Sequence, residues 1–311
     1  MRAFIFPGQG SQFVGMGEDL ADASIVAYST FQRIEEAIER SVFTIMSKGP
    51  HELLQMTEIA QPAIMANSIA TLRVIELEGG MNLADKVDFV AGHSLGEYSA
   101  LCAAKAFDME TTAQLLQIRG KAMQAAVPVG IGAMAALLGA DVERATALCA
   151  AAAQGETCTV ANDNDPSQVV ISGHKGAIER AVALVKDFEI KRGVMLNVSA
   201  PFHCPLMQPA ADAMAGALAE NPPAAPIMPL YANVTAAPVI DPATIVVQLV
   251  EQVTGRVRWR ETIANMAAAG VTEFVEIGGK VLTPMVKRIA PDANAISVVT
   301  MGDIEALLKG V

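Results

Sequence analysis

The pentapeptide Gly92-His93-Ser94-Leu95-Gly96 lies between an apolar run, 87–91, and a helical stretch that reaches about residue 106. No other feature constrains the chain as strongly. A strand that ends in such a turn and continues at once as a helix belongs to α/β architecture with a mainly parallel sheet. The flanking glycines permit the tight turn, and the turn lifts the serine hydroxyl clear of the backbone. Ser94 also sits at a helix N-terminus, where free N–H groups favour developing negative charge. The N–H of Leu95 is then placed to meet an oxyanion. The plainer reading is a glycine-rich turn with an ordinary serine; the strand and helix on either side favour the functional one.

The alternation continues through both ends of the chain. Residues 3–6 predict a short strand running into Pro7-Gly8-Gln9-Gly10-Ser11-Gln12. Helices are expected at 25–40, at 61–78 with Pro62 in the first turn, and at 109–126. Beyond residue 200 the expected elements are a short strand at 230–234, a helix opened by Asp241-Pro242, a helix at 262–269, a strand at 273–277 and a helix at 282–289. The middle differs. Strand 133–138, helix 141–153 with Asp141 as N-cap, strands 157–161 and 168–172, helix 174–188 and strand 193–198 follow in order. The turn-rich Asn162-Asp163-Asn164-Asp165-Pro166 is expected to join the central strands. This β-α-β-β-α-β order is ferredoxin-like. The expected fold is α/β: a hydrolase-like parallel-sheet domain, residues 1–127 and 200–311, interrupted by a ferredoxin-like domain at 128–199. With 311 residues, 52% of them hydrophobic, the chain can fill a core of that size.

A serine hydroxyl needs a base, and there are four histidines. His51 lies in a polar helix start and His174 opens a surface helix. His93 abuts Ser94, but neighbours on a tight turn point apart, which suits a pocket wall. His203, in Ser199-Ala200-Pro201-Phe202-His203, follows a strand end at the return from the insertion, where functional side chains collect; position alone leaves open whether it is the base. Cys204 is a rival nucleophile, though a small buried thiol is its plainer reading. The loop at 8–12 is not a phosphate cradle: Phe13 occupies the third glycine position, and no Gly-Lys-Ser/Thr follows. Its exposed N–H groups suit an oxyanion donor. Arg119, alone on an uncharged helical run, is either a surface residue or a clamp that grips a carboxylate in bidentate fashion.

Gly8-Gln9-Gly10-Ser11-Gln12, Gly92-His93-Ser94-Leu95-Gly96-Glu97, Arg119-Gly120-Lys121-Ala122-Met123, Ala200-Pro201-Phe202-His203 and Gln252 ahead of Val257-Arg258-Trp259 together resemble the malonyl-CoA:acyl-carrier-protein transacylases of free-standing bacterial type. The resemblance extends in order and spacing to about Arg288. It implies Ser94 as the acyl-carrying nucleophile, His203 as its base, and Gln252 orienting His203 through its backbone carbonyl. It implies an oxyanion hole from the N–H groups of Gln9 and Leu95, and Arg119 on the free carboxylate of malonyl. His93 and Phe202 would line the substrate site. Asn162 and Asn164 match positions near the cleft. In related modular domains a phenylalanine before the histidine accompanies malonyl. The implied reaction is ping-pong transfer of malonyl from coenzyme A to the phosphopantetheine thiol of acyl carrier protein, in fatty-acid biosynthesis. No cofactor is permanently bound; the coenzyme A thioester is substrate.

A net charge of −11 argues against nucleic acid as a partner. Docking an acidic carrier then needs a local basic rim, for which Lys191 with Arg192, Arg256 with Arg258, and Lys287 with Arg288 are candidates. The start is not a signal peptide, and the longest uncharged run, 124–140, is too short and too broken by Pro128 and glycines to span a bilayer. A soluble, cytoplasmic monomer is expected. No CxxC pair or histidine cluster suggests a metal site. Two alternatives share these features: a serine esterase or thioesterase with the same elbow, and a carrier-binding scaffold without activity.

Overall fold

The computed structural model describes residues 1–198 and 200–310, so Ser199 of the histidine motif lies outside the described residues. Ten strands form two sheets: β1 Arg2–Phe6, β2 Phe89–Gly92, β3 Gly132–Leu138, β4 Cys158–Asp165, β5 Gln168–His174, β6 Arg192–Met195, β7 Leu230–Tyr231, β8 Pro238–Val239, β9 Glu273–Ile277 and β10 Asn294–Val298.

The large sheet has the order β10-β9-β1-β2-β7-β8 and is parallel except for the β7–β8 pair at its edge. β1 reads Arg-Ala-Phe-Ile-Phe, apolar on both faces as a buried parallel strand must be. Phe4 and Phe6 point into the main core, and Ala3 and Ile5 into a second cluster around Trp259 and Phe274. The first core is closed by the long helix Thr57–Leu77 together with Ile25–Ile38 and Met109–Ala125. Between these lies the helix Gly96–Ala103, every residue of which is buried.

The small sheet has the order β4-β5-β3-β6 and is antiparallel throughout, the ferredoxin-like arrangement. Strand alternation assigns its two faces to different cores. Ala133, Ala135 and Leu137 of β3 pack under the helices Val142–Ala153 and Lys175–Leu184. Met134 and Ala136, with Val170 of β5, turn the other way into the main core. The insertion is thereby the second wall of a cleft whose first wall is the C-terminal edge of the large sheet.

Several local expectations are corrected. The helix expected from residue 61 begins at Thr57, and Pro62 lies inside it. The ring gives up one i→i−4 bond there, and the buried face of the helix outweighs that loss. Residues 162–165 are not a turn: β4 runs on to Asp165 through two register shifts, its polar side chains satisfied by Ser167 and Gln168 locally and by His93, Arg260 and Arg288 across the cleft. The strand at 230–234 shrinks to Leu230–Tyr231. The helix Gln208–Glu220, β10 and the helix Met301–Lys309 were not anticipated. Asp141 and Asp241 do cap their helices, accepting from the N–H groups of Arg144 and Thr244.

Candidate active site

Ser94 stands where β2 turns into the helix Gly96–Ala103, with φ at 54°. A side-chain-bearing residue in this left-handed region costs about 1–3 kcal/mol and persists only where its surroundings enforce it. The glycines on either side are sterically required. A Cβ on Gly92 would lie 1.9 Å from the backbone of Gly96, and one on Gly96 2.3 Å from the Phe6 carbonyl oxygen. Asn233, fully buried just past β7, ties the turn together. Its Oδ1 accepts from the Ser94 N–H at 2.8 Å, and its Nδ2 donates to the Gly92 carbonyl at 2.7 Å.

His203 approaches from the loop after the insertion, also with positive φ, 57°. Its Nε2 lies 2.8 Å from Ser94 Oγ, and its Nδ1 lies 2.8 Å from the backbone carbonyl of Gln252. A carbonyl can only accept, so Nδ1 carries the proton and Nε2 offers its lone pair to the serine hydroxyl. Burial, reinforced by the neighbouring Arg119 cation, pulls the imidazole down to about 3. His203 is therefore neutral at ordinary pH.

Arg119 is 1% exposed on the helix Met109–Ala125. Nη1 donates to Gln61 Oε1 at 2.8 Å, and Nη2 donates to Gln252 Oε1 at 2.7 Å and to Ser94 Oγ at 3.2 Å. Tyr98 lies beneath, its ring centre 5.8 Å from the guanidinium carbon. Among the described residues no carboxylate forms an ion pair with Arg119. Glu97 favours its charge only from behind Gln252; a buried cation without a direct ion pair is costly, and this one lines a cavity of about 430 Å³ beside the serine.

Ser94, His203, Gln9, Leu95 and Arg119 all border that cavity, as do His93, Phe202, Asn162 and Asn164; Gln252 is wholly buried behind Arg119. The N–H groups of Gln9 and Leu95 donate to no protein acceptor among the described residues. His93 turns away from Ser94: its Nε2 meets Asn164 Oδ1 at 2.8 Å and its ring stands edge-on to Trp259. Burial lowers its pKa. Cys204 is buried with its thiol on the Pro201 carbonyl, and His174 accepts from the Thr157 N–H. Of the expected basic rim, Arg256 and Arg258 pair with Glu261 and Arg288 with Asp165.

Sequence reasoning overlooked Asn233, Gln61 and the part played by Glu97. Glu97 is 1% exposed, and its Oε2 accepts from Gln252 Nε2 at 2.6 Å and from the Asn233 N–H at 3.3 Å. Burial raises its carboxyl to about 7. The available signal was a lone acid on a helix with no other charge, and a lone amide beside an apolar strand.

The nucleophile turn, the neutral histidine and the inserted antiparallel sheet define a serine acyltransferase of the α/β class, and residues 3–300 match the family model of the acyl transferase domain. The malonyl CoA-acyl carrier protein transacylase of Haemophilus influenzae is 42% identical, over 98% of this chain and 97% of that protein. The crystal structure of the acyl-carrier-protein S-malonyltransferase from Bartonella henselae is 51% identical, covers 100% of this chain and 99% of that one, and superposes with a TM-score of 0.97. A malonyl-transacylase solved in complex with its type II PKS acyl-carrier protein is 39% identical with a TM-score of 0.95, over 100% of this chain and 99% of that one. The chain belongs to the malonyl-CoA:acyl-carrier-protein transacylase family.

Proposed function

We propose that the protein transfers malonyl from malonyl-CoA to the phosphopantetheine thiol of an acyl carrier protein, through a malonyl ester on Ser94. The observation that carries this reading is Arg119, a buried guanidinium 3.2 Å from Ser94 Oγ with no direct ion pair among the described residues, its nearest acid, Glu97, being held off behind Gln252. A carboxylate at the far end of the acyl group supplies the direct ion pair, and charge-assisted bonds to it set the thioester carbonyl over the serine.

His203 Nε2 takes the Ser94 proton as Oγ attacks the thioester carbon. The N–H groups of Gln9 and Leu95 receive the oxyanion; one such donor is worth about 3 kcal/mol. When the tetrahedral adduct collapses, the C–S bond breaks and the His203 proton passes to the coenzyme A sulfur. The carrier's thiol then enters, gives its proton to His203, and attacks the ester; Ser94 leaves with that proton. The Gln252 carbonyl keeps His203 in the tautomer both half-reactions need. A carbonyl rather than a carboxylate at Nδ1 suits a base that must stay neutral between half-reactions. His93, Phe202 and Asn162 shape the acyl and pantetheine channel. Residues 1–127 and 200–311 act as the catalytic unit and 128–199 as the inserted wall, a division supported by the two separate sheets. The reaction fits fatty-acid biosynthesis in the cytoplasm. Among the described residues, no helix is long and apolar enough to cross a membrane, and no cluster of metal-ligating side chains occurs.

The direct test is intact mass after brief mixing with malonyl-CoA. One malonyl group is expected on the protein, absent in Ser94→Ala and discharged by holo carrier protein. Free malonate and coenzyme A without an adduct would instead mark a hydrolase.

A further inference from the structure

The side-chain amide of Gln252 can sit either way round, and its orientation decides what Arg119 meets. With Nε2 toward Glu97 Oε2 and the Ser94 carbonyl, at 2.6 and 2.9 Å, Oε1 faces Arg119 Nη2 at 2.7 Å. Turned over, the amide would set oxygen against the Glu97 oxygen and NH2 against a guanidinium nitrogen, two repulsive pairs in a water-excluded site. The Glu97 side chain touches neither the cavity nor Ser94 Oγ. Its position is fixed in turn by the Asn233 N–H, and Asn233 holds the Ser94 turn.

We infer that Glu97 is a positioning residue for acyl selection: its carboxylate oxygen fixes the Gln252 amide, and through it aims Arg119 at the carboxylate of the acyl group. This rests on Arg119 being the carboxylate site. The same amide is anchored to the backbone of Ser94, so one small network sets the distance between the nucleophile and the group that grips the far end of the substrate. Burial, which makes an unsatisfied donor or acceptor expensive here, keeps the alternative orientation unpopulated.

The test is the ratio of kcat/KM for malonyl-CoA to that for acetyl-CoA, which lacks the distal carboxylate. Glu97→Asp keeps the charge but withdraws the acceptor from Gln252. It should lower the ratio by about tenfold or more, chiefly through KM for malonyl-CoA. Glu97→Gln keeps an oxygen in place and should hold the ratio within roughly threefold. In an Arg119→Ala background, Glu97→Asp should have no further effect on the ratio, because the pair acts in series. The inference is overturned if Glu97→Asp leaves the ratio unchanged, lowers both substrates equally, or acts undiminished without Arg119. Should Glu97→Asp fail to fold, Gln252→Ala interrupts the same relay one step on, and an unchanged ratio there overturns the inference equally. Arg119→Ala alone separates the two claims: an equal loss on both thioesters removes the carboxylate site itself, whereas a selective loss with inert Glu97 and Gln252 variants removes only the relay.

Discussion

The two walls of the cleft bury polar groups in opposite ways. At the Ser94 turn most of the constraint is local, glycines at 92 and 96 and positive φ at the serine, with the distant Asn233 amide added as a clamp on the backbone either side. In β4 it is remote. Four polar residues in succession, Asn162 to Asp165, are buried; Ser167 and Gln168 bind Asp165 and Asn164 locally, and further partners lie across the cleft. Asn164 meets His93, Asp163 meets Arg260 at 2.9 Å, Asp165 meets Arg288 at 2.7 Å, and the backbone of Asn162 bridges to Val257. The first wall is rigid because its own backbone leaves no alternative. The second is held in place because helices and loops of the large domain share its hydrogen bonds. Damage to the first should cost catalysis as well as stability; damage to the second should cost stability alone.

The sharpest way to break that comparison is Gly92→Ala. Its Cβ cannot be placed without moving the Gly96 backbone, so malonyl transfer should fall at least about a hundredfold, and stability by about 3 kcal/mol or more. Near-normal transfer would show that the turn is not the rigid element.

Protonation gives a second, smaller contrast. The native fold keeps His203 at about 3 against an ordinary 6.5, so the unfolded chain binds a proton the native one refuses. The stability this histidine contributes is complete above pH 6.5 and is lost as pH falls toward 3, by roughly a few kcal/mol. Glu97, raised to about 7 from 4.5, works in the other direction: its contribution is present below pH 4.5 and lost as pH rises through 7. Thermal melts of the wild type and His203→Gln between pH 7 and 4 isolate the first effect, and the wild type should lose ground to the variant as pH falls. The same depression predicts no acid limb near pH 6.5 in acylation by malonyl-CoA. Since Arg119 contributes to it, Arg119→Ala should move the limb upward.

On the other wall, Asp163→Ala should lower stability by about 2 kcal/mol, less than for a wholly buried pair because Arg260 is 37% exposed. Formation of malonyl-Ser94, read by mass, should stay within roughly threefold of normal. Lost acylation with an unchanged melting temperature would erase the distinction between the walls. The smallest effect belongs to Arg258→Ala, whose pairing with Glu261 is solvent-exposed enough that about 0.5 kcal/mol is expected.

The strand, turn and helix around Ser94 were readable from residues 87–106 because their determinants are neighbours: glycine spacing, an apolar run and a helix start. The β-α-β-β-α-β order was readable for the same reason, each element carrying its own periodicity and caps. Asn162 to Asp165 were read as a turn, since a polar run announces only that its groups need partners. Water would satisfy them as well as Arg260, Arg288 and His93 do, and only the packing of the small sheet against the large one excludes the water. Asn233 and Gln61 were silent because neither carries a local signature; each matters by what stands 2.8 Å away, the Ser94 N–H in one case and Arg119 in the other. Residue pattern alone was enough for most elements, for their order and for the nucleophile, but not for the helix Gln208–Glu220, β10 or the helix Met301–Lys309. Only the packed chain brings a neutral histidine to the serine and ties a buried arginine and a buried acid together through Gln252, because those contacts join residues 109, 133 and 155 positions apart and no local pattern records them.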